Sequence, residues 1–147
     1  MPEMLKRILE TLKKDDAVFF PPVDDRSLRF VASMLSSHHF PMIPKDYIEL
    51  LKQTDGLVWN GIELYGSRAN DRETMGYTLP GLIEANLEYA NVPQMRGKLL
   101  LGRASEEIFV YDTMDQKYHI LERLDFQVSC SFQTFSEAVY LFVDELF

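Results

Sequence analysis

The hydrophobic period of this chain changes near residue 56 and changes back near residue 134. Up to that first point apolar residues recur at the 3.6-residue spacing of helices. Met4, Leu5, Ile8, Leu9 and Leu12 form one stripe with lysines and glutamates opposite, a surface helix that should end near Asp15 and Asp16. Phe19-Phe20-Pro21-Pro22 cannot continue it and reads as a prolyl loop anchored on the core by its aromatic pair. Leu28, Val31, Ala32 and Leu35 give a second helix that Asp24 or Asp25 can cap. Pro44 opens a short third one through Tyr47, Ile48, Leu50 and Leu51, which Gly56 can terminate.

Between the two changes the pattern is that of short strands. Leu57–Trp59 and Ile62–Tyr65 flank Asn60-Gly61, the strongest two-residue hairpin signal. Residues 67–77 are polar and read as an exposed loop, and Pro80–Tyr89 as a helix with Leu82, Ile83, Ala85 and Leu87 partly buried. Strands are expected at 99–101, 108–111 and 118–121, the last two joined by a tight turn, Asp112–Lys117. Thr134 and Glu137 then form a capping box ahead of Phe135, Ala138, Val139, Phe142, Val143 and Leu146. Helices, then strands, then a helix predict an α+β fold: one domain, residues 1–147, with a mainly antiparallel twisted sheet packed by N-terminal helices and a C-terminal helix. Residues 1–23 form an extra N-terminal helix and prolyl connection, and 24–147 the core.

Composition narrows the function classes. A chain of 147 residues with 46% hydrophobic and 12% aromatic residues is not disordered. Its 15 basic and 23 acidic residues, net −8, disfavour a nucleic-acid groove or an anionic membrane surface, which need excess lysine and arginine. No apolar run approaches the roughly 20 residues of a membrane span, Met1–Lys14 is not signal-like, and the lone Cys130 fits a reducing compartment. A cytoplasmic location is therefore expected.

The acidic excess is unevenly placed. Residues 1–103 hold 13 basic against 14 acidic residues, whereas residues 104–147 hold only Lys117 and Arg123 against nine acids. If Glu106, Glu107, Asp112, Asp115, Glu122 and Asp125 share one face, they create a negative field that steers a basic partner. The plainer alternative is a solvated edge that blocks strand pairing. Trp59 and Tyr65 are candidate aromatic anchors for such a partner, with burial in the core the commoner fate of such residues.

Catalytic patterns are thin. Cys130 lacks a surrounding nucleophile signature and reads as a buried thiol. His38 and His39 are adjacent and, even with Asp24 and Asp25, lack metal-ligand spacing. Asp112 and Asp115 lack the rest of a calcium loop and read as a hairpin turn. No phosphate-cradling glycine pattern occurs. No enzyme, cofactor or metal is expected.

The strings Ile43-Pro44, Tyr47, Leu50-Leu51, Asp55-Gly56, Gly61 and Leu64-Tyr65-Gly66, followed by Gly102, Val110-Tyr111-Asp112 and Phe132 with Thr134-Phe135-Ser136-Glu137, resemble the SUKH superfamily, its cell-wall-regulator-like and YrhA-like group. Asp55 stands where that pattern has asparagine, and the acidic residue common before the proline is missing at Ala32–Met34. The resemblance implies a non-catalytic binding module. Its bacterial members are immunity proteins that neutralise secreted toxin domains, often nucleases, so the implied partner is a basic toxin. The alternative it implies is a regulatory adaptor or small-ligand module of the cell-wall-signalling type, which would carry a pocket rather than a broad acidic face.

Overall fold

The computed structural model describes residues 2–72 and 76–143. Its fold is α+β. Helices α1 (Glu3–Lys14), α2 (Asp25–Ser37) and α3 (Lys45–Leu51) precede strands β2 (Leu57–Trp59) and β3 (Ile62–Leu64). Helix α4 (Leu82–Glu88) leads to β6 (Lys98–Arg103), β7 (Glu107–Asp112), β8 (Lys117–Glu122) and β9 (Val128–Phe132), and α5 (Phe135–Phe142) follows. With β1 (Val18–Phe19), these strands make a seven-stranded sheet ordered β1-β2-β3-β6-β7-β8-β9, antiparallel at every step. None of the described helices is long and apolar enough to cross a membrane.

Local chemistry places most of these elements. The Asp24 carboxylate accepts from the Ser27 N–H at 2.6 Å and starts α2, and the Thr134 hydroxyl accepts from the Glu137 N–H at 3.3 Å and starts α5. Asn60 and Gly61 turn the β2–β3 hairpin with φ of 48° and 79°, the two positive values a tight hairpin turn demands. Pro44 precedes α3 as its cap instead of being its first residue.

Three expectations are corrected. Phe19 is not in a loop: with Val18 it adds a short edge strand to β2. The polar stretch taken as a loop contributes β4 (Asn70–Arg72), which pairs with β5 (Tyr77–Leu79) in a separate two-stranded sheet. Strand β9 was not expected, because Ser129, Cys130 and Ser131 lack the apolar content of a strand signal; as the outermost strand it has one open side and needs little. Leu146 lies outside the described residues.

Both faces of the central strands are covered. On one, Phe109 and Tyr118 meet Phe135 of α5 at ring distances of 5.8 and 5.6 Å, and Tyr47 of α3 reaches the same Phe135 edge-on at 5.4 Å. Their alternates on the other face, Leu100, Ile108, Val110 and Leu121, are equally buried. Strand β3 is too short to pair β6 along its length. The Asn86 side chain of α4 takes the place of the missing residues, accepting from the Leu100 N–H at 2.8 Å and donating to its carbonyl at 3.0 Å. Asn86 is buried for this reason, while its neighbour Leu87, expected inside, is turned outward.

Candidate functional site

The acidic residues of the last third do not share one face. Strand β7 is six residues long, so roughly 17 Å separates its ends. Glu106 and Glu107 stand at its start, Asp112 and Asp115 at and beyond its finish. Two sites of different character result.

At the finish, the β7–β8 turn is built by the two aspartates. Asp112 accepts from the Met114 N–H at 2.9 Å and Asp115 from the Lys117 N–H at 3.0 Å. His119 is buried beside them, with Nε2 2.8 Å from Asp115 Oδ2 and 3.8 Å from Asp112 Oδ2, and Nδ1 2.6 Å from the Ser131 hydroxyl of the adjoining strand. Lys98 Nζ stands 3.8 Å from Asp112. The three carboxylate and imidazole donors lie within 4.8 Å of one another, a donor set suited to a divalent cation. The Lys98 ammonium already supplies positive charge there, so the set does not fit a metal well. The Asp115–His119–Ser131 chain has the connectivity of an activated nucleophile. The turn N–H groups of Met114 and Lys117 are committed to the aspartates and do not serve an oxyanion. The cluster therefore reads as a turn lock. His119 carries no motif, and only its cross-strand pairing with Ser131 reveals it.

At the start of β7 the balance is different. Glu107 lies directly opposite Glu122, and the Arg123 N–H donates to the Glu106 carbonyl, so three carboxylates converge on one end of the sheet with Asp125 in the following turn. Burial pushes the Glu107 carboxyl up, and the charges of Glu122 and Glu106 raise it further. Among the described residues no lysine or arginine forms an ion pair with these groups; Arg123 instead donates to the Ser105 carbonyl at 3.1 Å. In the same turn and strand, Leu124 is 97% and Val128 55% exposed. Neither aliphatic residue stood out in the sequence, since both sit outside any periodic run. Strand β9 beside them has no partner on its outer side among the described residues.

Trp59 and Tyr65 are not surface anchors. Trp59 is 8% exposed, and its indole N–H donates to Asp15 at 2.9 Å, tying α1 to β2. Tyr65 is 2% exposed; its hydroxyl donates to Glu63 at 3.3 Å, and Arg103 stands 3.7 Å from the same carboxylate. Cys130 is half-buried in β9.

Three of the residues that carry the family resemblance, Tyr47, Asp55 and Gly66, hold the fold together. Asp55 is buried and accepts from the Ser67 N–H at 2.7 Å and the Ser67 hydroxyl at 2.6 Å. Gly66 lies so close that an added Cβ would fall 2.2 Å from the Asp55 carbonyl oxygen. Tyr47, wholly buried, donates its hydroxyl proton to the carbonyls of Tyr65 and Leu101, where β3 leaves β6. Compared with models of known protein families the chain matches none, and no curated protein is significantly similar to it.

Proposed function

We propose that this chain is a non-catalytic protein-binding module that docks a basic partner on the β7–β9 end of its sheet. The observation that carries the reading is the convergence of Glu106, Glu107 and Glu122, without an ion-paired lysine or arginine among the described residues, at the end of the sheet where Leu124 and Val128 are exposed. Exposed aliphatic side chains next to charged ones are a combination that protein interfaces use. Crowded carboxylates are relieved when a basic surface arrives, and their field raises the association rate. The open edge of β9 adds unpaired backbone groups that a partner strand can take. The SUKH resemblance supplies the identity of the partner in this proposal: a secreted toxin domain that the protein occludes by stoichiometric block.

The test is capture from cells that make the protein, with the wild-type chain and a Glu106→Lys/Glu107→Lys/Glu122→Lys variant side by side. A basic protein retained one-to-one by the wild type, less at high salt and not by the variant, is the expected outcome. Equal retention by both removes this surface from the account.

A further inference from the structure

The opposite end of the molecule carries a cleft whose charge is contrary to that of the chain. The loop after α2 (His38–Pro41), the C-terminal end of α4 with the residues after it, and the lead into β6 enclose about 450 Å³, within the range of small-ligand sites. Its charged or chargeable nitrogen groups are His38, His39, Arg96 and Lys98, and among the described residues no aspartate or glutamate lines it, although the protein carries −8 overall. Arg96 is exposed and makes no ion pair among the described residues. Lys98 is held at the wall by the Gln94 carbonyl at 2.7 Å and by Asp112 behind it at 3.8 Å. The cleft also has a flat aromatic side: the His38 ring stacks on Phe40 at 5.9 Å, with Met95, Val92 and the exposed Leu87 nearby along the lining.

We infer that this cleft binds a small organic anion, a phosphate or carboxylate head on a planar apolar body. The head would meet the Arg96 guanidinium, whose fork matches either oxyanion, together with the Lys98 ammonium. The planar body would lie along the His38–Phe40 wall. A head alone would forfeit the aromatic wall, and an uncharged body would forfeit both cations. The inference is independent of the docking surface, since Lys98 and Arg103 mark opposite ends of β6.

The experiment is an NMR titration of the full chain, following amide shifts, with adenosine monophosphate and 1-naphthoate as probes. Adenosine, inorganic phosphate and a tri-glutamate peptide serve as comparison arms. At least one probe should give saturable shifts at His38, Phe40, Gly97 and Lys98. Arg96→Gln should weaken binding about tenfold or more, the loss of a charge-assisted bond, while Arg123→Gln at the far end should leave it unchanged. His38→Ala provides a second cleft variant, and thermal unfolding checks that each variant is folded. Absence of saturable shifts with both probes overturns the inference. So does equal binding of adenosine, of inorganic phosphate or of the peptide, because each would remove one half of the proposed recognition.

Discussion

The Asp55–Gly66 contact shows how single residues decide this fold. Replacing Gly66 by alanine would drive a Cβ into the Asp55 carbonyl, so thermal unfolding should show a loss of about 3 kcal/mol or more. Asp55→Ala would strand the N–H and hydroxyl of Ser67 and should cost about 2–4 kcal/mol in denaturant unfolding. Glu107 behaves in the opposite sense. Its carboxyl titrates above its unfolded value, so the charged form opposes folding at neutral pH and the opposition fades as pH falls through the folded pKa. Glu107→Gln should therefore leave stability unchanged or raise it by up to about 0.5 kcal/mol, while slowing association with a basic partner. An interface residue that opposes folding is recognised by that combination. The Asn60-Gly61 turn and the Asp24 and Thr134 caps were legible in the sequence because each acts within a few residues of itself, whereas Gly56, expected to end α3, lies beyond its cap at Lys52. The pairing of His119 with Ser131 was not, because it spans two strands whose register no local pattern fixes.

At the scale of elements, the paired core was readable and its margins were not. Strands β2, β3, β6, β7 and β8 announce themselves by apolar runs between turn residues, and α5 by its Thr134 cap; of the capping box expected there the structure shows the Thr134 half. Strands β1, β4, β5 and β9 are short or polar and exist because a neighbour offers backbone partners. The same dependence explains Asn86, a polar residue on the buried side of α4 that completes β6 where β3 stops. Asn86→Leu keeps the branched shape of the side chain but leaves the Leu100 N–H and carbonyl without those partners. The expected outcome is a loss of about 2–3 kcal/mol, with faster amide exchange at Leu100. The candidate interface was half visible: the acids of residues 104–147 stood out, but their division between the two ends of β7 required the strand itself.

Across the whole molecule, burial of tyrosines sets a pH limit. Tyr47, Tyr65 and Tyr118 are all raised above the ordinary phenol value, chiefly by desolvation. Unfolded phenols ionise near pH 10 while the folded ones stay protonated, so their contribution is complete below about pH 10 and is lost as pH rises beyond it. Thermal unfolding followed from about pH 8 to about pH 11.5 should show a steep fall only in the upper part of that range, shallower in Tyr118→Phe. The surface is polarised as well, with carboxylates that no described lysine or arginine pairs at the Glu107 end of the sheet and a cationic cleft at the Lys98 end.

The most direct test of the docking surface is the association rate of the captured partner with wild-type protein and with Glu106→Lys/Glu107→Lys/Glu122→Lys, at about 0.05 M and about 0.5 M salt. The account predicts that the wild-type rate falls by about tenfold or more as salt rises, and that the variant is slow at both concentrations. Rates that match between the two proteins and ignore salt would contradict it.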